Sequence, residues 1–237
     1  MITEHHATLM LQAQETQTKI PHKPGVGKLI VQMDGSMIPI VETKDLTKDS
    51  TKKKKRLDRR KTRMVSWREA RLCLAHPHGC VKLTFAGTLG TVEEAGNQLF
   101  HSAIRAGLGN QTRVHSVGDG APWIATQVER IFGQQGTYLI DFYHLCDYLA
   151  AASKSCAPHD SKSWMKQQKQ RMKANQSTKV LAALKPHLES DALPKDKAPV
   201  RACYRYLSNR PGQFDYQAAM TASLPIGSGK IEKLALT

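Results

Sequence analysis

The chain has 237 residues, 40% of them hydrophobic, and a formal net charge of +15. That length suffices for one substantial domain with a subdomain inserted in it. No apolar run approaches the ~18 residues of a membrane span, and residues 1–14 lack the basic-then-apolar order of a secretory signal, so a membrane partner is not expected.

Residues 6–19 are polar and helix-compatible, stopping before Pro21 and Pro24. The run 28–33 predicts a buried strand ending in Asp34-Gly35-Ser36, and 37–42 a second strand. A basic segment follows: residues 44–63 hold 11 Lys/Arg against 3 Asp/Glu, without apolar periodicity, which predicts a loop. Residues 65–75 and 80–86 predict a hairpin turned at His76-Pro77-His78-Gly79, with Val81, Leu83 and Phe85 alternating as a half-buried strand and Cys73 facing Cys80. Thr91 with Glu94 three residues on is a capping-box signature for a helix through Ala106.

A short strand at 113–117 ends in Gly118-Asp119-Gly120, and Pro122 opens a helix through Phe132. Residues 138–140 form a further strand, ending at Asp141 and feeding a helix over 142–152. The stretch 153–215 is helix-compatible and basic; residues 154–215 hold 13 Lys/Arg against 5 Asp/Glu. Trp164, Met165 and Met172 are expected to form the core of these helices. Leu224-Pro225-Ile226-Gly227-Ser228-Gly229 then makes a turn into Lys230-Ile231-Glu232. The expected organisation is a polar segment (1–24), a core (25–152), a basic helical insertion (153–215) and a last core helix begun within 216–237. The fold class is α/β, with three early antiparallel strands followed by strand–helix alternation.

The charge is concentrated in two segments flanking a nearly neutral body, a pattern that attracts polyanions, nucleic acid above all. Lys52, Lys53, Lys54, Lys55, Arg56, Arg59, Arg60 and Lys61 are the candidate DNA-binding residues. Five cysteines (Cys73, Cys80, Cys146, Cys156, Cys203) without framework spacing favour reduced thiols in a cytosol.

Asp34, Asp119 and Asp141 each close a predicted strand, and Glu232 follows a Gly-rich turn at a helix start. Each also has a purely structural reading. Asp-Gly is a common turn dipeptide, and Asp141 could cap the following helix. Together they suit phosphodiester chemistry, which uses two divalent cations about 3.5–4 Å apart held by hard oxygen ligands.

The blocks Asp34-Gly35-Ser36-Met37-Ile38-Pro39, Val117-Gly118-Asp119-Gly120-Ala121-Pro122-Trp123-Ile124, Ile140-Asp141-Phe142-Tyr143-His144 and Leu224-Pro225-Ile226-Gly227-Ser228-Gly229-Lys230-Ile231-Glu232 resemble, in order, the signature blocks of bacterial insertion-sequence transposases of the ISKra type, relatives of Mutator-like elements. Trp67 resembles the start of that family's second strand. The resemblance implies a mixed five-stranded RNase H-like sheet flanked by helices, with the basic insertion before the last core helix. It implies DDE-type DNA transposition by strand cleavage and strand transfer, with Asp34, Asp119 and Glu232 catalytic and holding two Mg2+ or Mn2+ ions. Asp141 and His144 match the family's Asp-x-x-His element near the site. The implied partner is DNA, both element ends and target, with a homo-oligomer in the full-length protein and a bacterial cytoplasmic, nucleoid-associated setting.

Relatives extend further at both ends, so the chain is expected to be a truncated copy, inactive or weakly active. The rival expectations are a non-catalytic DNA-binding remnant and a hydrolytic RNase H-like nuclease. Cys73, His76, His78 and Cys80 have zinc-ligand chemistry, but eight residues with Pro77 inside are unlike two separated ligand pairs, so zinc is not expected. Gly227-Ser228-Gly229-Lys230 fails the phosphate-loop pattern, because Leu224 and Ile231 stand where Gly and Ser/Thr are needed.

Overall fold

The computed structural model describes residues 19–43, 63–229 and 231. Its centre is a five-stranded mixed sheet in the order β3-β2-β1-β4-β5. The strands are β1 (Lys28–Thr43), β2 (Arg63–Pro77), β3 (Thr84–Thr88), β4 (Arg113–Gly118) and β5 (Gly136–Ile140). β1–β2 and β2–β3 are antiparallel, whereas β1–β4 and β4–β5 are parallel. Among the described residues seven α-helices flank it: α1 (Val92–Arg105), α2 (Pro122–Phe132), α3 (Phe142–Cys156), α4 (Ser161–Lys173), α5 (Ser177–Leu184), α6 (Pro199–Ser208) and α7 (Tyr216–Thr221). None of the described helices is long and apolar enough to cross a membrane.

One sheet face is built by alternation. Leu29, Val31 and Met33 of β1 lie with Cys73 and Ala75 of β2 and Val114 of β4 under α1 and α2. α1 starts as the sequence predicts: Thr91 accepts from Glu94 N, and Glu94 returns a carboxylate to the Thr91 N–H. The helix therefore presents Ala95, Leu99, Phe100 and Ala103 to the sheet. Each fully buried large apolar side chain there contributes roughly 1.5–3 kcal/mol. A second core joins Leu139 and Ile140 of β5 to α3 and the helices that follow it; Met172 is buried there, with Trp164 and Met165 packed against it. All five cysteines are unpaired thiols. Burial pushes Cys73 and Cys203 up to about 12 and Cys156 up to about 11.

Three expectations about strands are corrected. Asp34 does not end a strand: β1 is continuous over sixteen residues, and Asp34 sits within it opposite Leu72. Gly35 does not break it, because β2 runs alongside without interruption and pairs Arg71 with Gly35. β2 likewise begins ahead of Trp67, at Arg63. The run 80–86 enters the sheet only at Thr84. β2 continues through Pro77, a tight turn places Gly79 at φ +78°, and residues 80–83 stay outside the ladder. Val81 is consequently 91% exposed, and Cys73 faces Ala86 rather than Cys80. The polar stretch 6–18 and the basic loop 44–62 lie outside the described residues.

Candidate active site

Three aspartates follow the last rungs of the parallel ladder. β1 and β4 are paired from Lys28↔Arg113 to Gln32↔Val117, where their ladder ends, and Asp34 and Asp119 each lie two residues past that last pair on strands running the same way. β4 and β5 are paired through Gly118↔Ile140, so one further step sets Asp119 beside Asp141, and Asp141 N donates to Gly118 O at 2.7 Å. Neighbouring strands lie about 4.8 Å apart. Asp119 and Asp141 stand at the carboxyl ends of β4 and β5, where α2 and α3 begin, the edge at which open α/β sheets bind ligands.

The three carboxylates have different surroundings. Asp141 is 1% exposed and fully engaged. Its Oδ1 accepts from Tyr143 N at 2.6 Å and His144 N at 3.1 Å, capping α3. Its Oδ2 accepts from Ser228 N and Ser228 Oγ, both at 2.5 Å. Asp141 thus fastens the 224–229 segment to the start of α3, and Phe142 N donating to Ile226 O at 2.8 Å completes the clasp. A Cβ at Gly227 would stand 2.7 Å from the ring of Tyr143, which would have to shift to admit it.

Asp34 and Asp119 are half-buried. Asp34 Oδ1 accepts from Gly35 N at 2.8 Å, and Asp119 Oδ1 accepts from Ala121 N at 2.8 Å. The Asp119–Gly120 turn is gripped from outside the sheet. Tyr206 Oη donates to Asp119 O at 2.6 Å, Arg210 Nε donates to Gly120 O at 2.8 Å, and Gly120 N donates to Tyr138 Oη at 3.0 Å. Burial raises Tyr138 and Tyr206 above the usual phenol range, so both hydroxyls stay protonated. Gly120, at φ +88°, is the one residue type that fits: a Cβ would stand 2.6 Å from Tyr206 Oη. Arg210 also lies 4.2 Å over the Tyr206 ring, which stacks on Tyr148 at 4.1 Å. His144 meets this stack edge-on, 5.6 Å from Tyr148.

The chain end is held to the same sheet face. Gln32, two residues before Asp34, accepts from Ile231 N at 3.2 Å through Oε1 and donates to Gly227 O at 3.4 Å through Nε2. His115 Nε2 lies 2.8 Å from Pro225 O, and burial holds the imidazole below its usual value. Glu232 and the basic cluster from Lys52 to Lys61 lie outside the described residues. Among the described residues no three His, Cys, Asp or Glu side chains gather as a ready metal site. His76 Nδ1 lies 2.8 Å from Pro77 O and His78 Nε2 2.9 Å from Ser223 O.

The sequence reading reached Asp34, Asp119, Asp141 and His144 but missed Gln32, Ser228, Tyr206 and Arg210. Ser228 lies in the Gly227-Ser228-Gly229 turn, where nothing local marks it as the partner of an aspartate 87 residues earlier. Tyr206 sits in the last turn of α6 and Arg210 just past its end, and both reach the Asp119–Gly120 turn. Comparison with protein-family models, with curated proteins and with solved structures finds no match for this chain.

Proposed function

We propose that the chain is a DNA phosphoryl transferase related to the ISKra-type transposases, with an RNase H-like core. The observation that carries the reading is that Asp34 and Asp119, both half-buried, each follow by two residues the last rung of the parallel β1–β4 ladder. The strand order β3-β2-β1-β4-β5, antiparallel then parallel, supports the core assignment. The Gln32–Ile231 hydrogen bond supports Glu232 as the third acid, because it ties the preceding residue to the strand and face that carry Asp34.

The donor set fits Mg2+ or Mn2+: two carboxylates supply hard oxygens from rigid backbone, and such ions commonly bind through one or two carboxylates plus substrate phosphate. Asp34, Asp119 and Glu232 would hold the ions. When bound, two ions activate the attacking oxygen and stabilise the leaving one. The protein's own residues do the rest by placement. Tyr206, Arg210 and Tyr138 fix the Asp119–Gly120 turn, and Asp141 fixes α3 and the 224–229 segment beside it. Rigidity matters, since productive constellations tolerate only about half an ångström of error. The setting would be a bacterial cytoplasm, with DNA as substrate.

The test is incubation of the purified chain with supercoiled plasmid and Mg2+ or Mn2+, scoring nicks and joined products separately. Metal-dependent nicking that falls at least ~100-fold in Asp34→Asn and Asp119→Asn is the expected result, a barrier change of about 2.7 kcal/mol. Joined products separate a transposase from a hydrolytic nuclease. Nicking that survives both substitutions would remove the assignment.

A further inference from the structure

We infer that one face of α4 is a track for the phosphate backbone of the DNA strand that flanks the Asp34–Asp119 pair; the inference rests on the phosphoryl-transfer reading above. Lys162, Lys166, Lys169 and Lys173 are spaced four, three and four residues apart, which puts them on one helical face. Lys162, Lys166 and Lys173 are exposed and Lys169 is half-buried. With Met165 and Gln170 they line a shallow groove of about 390 Å³. α4 itself contains no acidic residue.

The stripe has a direction. Its Lys173 end lies against the first turn of α3, with Nζ 4.7 Å from the centre of the Phe142 ring. Phe142 is the residue after Asp141, so the cationic line ends against the helix that Asp141 caps. Lys169, one turn away, stands close enough to Cys146 for its charge to favour the thiolate against the larger upward pull of burial. From there the stripe runs outward for eleven residues, about 16 Å of helix, the rise of roughly five nucleotides along one strand. A compact anion would need donors converging on a point, whereas these are strung along a line. An extended polyanion leading to the aspartates is the ligand that matches, and a strand held there approaches an edge whose acidic residues alone would repel it.

The test measures binding of a fluorescent 30-base-pair duplex to the whole chain by anisotropy across salt concentrations, in EDTA. The quadruple variant Lys162→Gln/Lys166→Gln/Lys169→Gln/Lys173→Gln should bind at least ~10-fold more weakly at 0.1 M salt. Its slope of log K against log salt should be shallower by about 2 to 3.5, given ~0.9 per duplex phosphate contact. The charge-matched control Lys179→Gln/Lys185→Gln/Lys195→Gln/Lys197→Gln, exposed elsewhere, should change both far less. Four Lys→Arg replacements on α4 should keep the slope. If packing at Phe142 proves sensitive, Lys162→Gln/Lys166→Gln alone should still flatten it by 1 to 2. Equal losses in the stripe and control variants would overturn the track and leave only net charge. So would an unchanged slope, or loss of binding to anionic lipid vesicles with none to DNA. Binding is read without metal, so a chain that binds along α4 yet never cuts would refute the phosphoryl-transfer reading and leave the DNA contact in place.

Discussion

Asp141, Asp34 and Asp119 all follow rungs of the parallel ladder and share one residue type, but the fold uses them differently. Asp141 is buried and accepts four hydrogen bonds, from Tyr143 N, His144 N, Ser228 N and Ser228 Oγ. Asp34 and Asp119 are half-buried, and each accepts an N–H from close by in its own chain, Gly35 N and Ala121 N respectively. A buried carboxylate persists only when its acceptor sites are filled. The Asp141 corner therefore holds the fold together, and under the proposed function the other two are the ones that would meet a ligand. Position in a sequence block does not separate these roles; the hydrogen-bond partners do.

The sharpest way to break this contrast is Asp141→Ala. The substitution removes the α3 cap, worth about 1 kcal/mol. It also strips two hydrogen bonds to a charged group from buried Ser228, each about 1.5–3 kcal/mol. A loss of roughly 3 kcal/mol or more is expected in urea unfolding, with protease cleavage appearing in the 224–229 segment. A loss under about 1 kcal/mol would mean that the clasp is not what holds the chain end.

A smaller effect belongs to His115, which grips the same segment through Pro225 O. Burial lowers its pKa from 6.5, with smaller opposing and reinforcing effects from the Pro225 carbonyl, His78 and Lys28. The unfolded chain thus takes up a proton before the folded one does. Stability from this group is fully present above pH ~6.5 and declines as pH falls from there toward the folded value. His115→Gln should flatten the dependence of Tm on pH below ~6.5. An identical acid slope in variant and parent would show that the 225 contact does not titrate.

β1 shows how much of this was legible in the sequence. Residues 28–33 read as a buried strand and are one, because Leu29, Val31 and Met33 fill the α1 face while β2 and β4 pair on both sides. The break expected at Asp34-Gly35 is real in burial but absent in the backbone. Beyond it β1 keeps β2 alone, and Met37, Val41, Val65 and Trp67 are all exposed. Local turn chemistry at Asp34-Gly35 yields to long-range pairing, which no window of sequence contains. Helix starts were legible because their signals are local: the Thr91–Glu94 box and Pro122 stand where the helices begin. The grip of Tyr206 and Arg210 on Asp119 and Gly120 was not, since 87 and 90 residues separate the partners.

The smallest expected effect on stability is also the most discriminating. Asp34→Asn and Asp119→Asn keep a carbonyl oxygen for Gly35 N and Ala121 N, and both sites reach solvent. Metal-free stability should therefore stay within about 0.5 kcal/mol of the parent, the usual range for surface changes. Adding Mn2+ should then separate the proteins. A ligand bound only by the folded state stabilises by RT ln(1 + [L]/Kd), about 1.4 kcal/mol at ten times Kd. The parent should gain that increment in Tm, and Asp34→Asn and Asp119→Asn should not. Metal-free losses above about 2 kcal/mol would place these two aspartates with Asp141 as structural groups. A parent whose Tm ignores Mn2+ would show that the pair holds no cation.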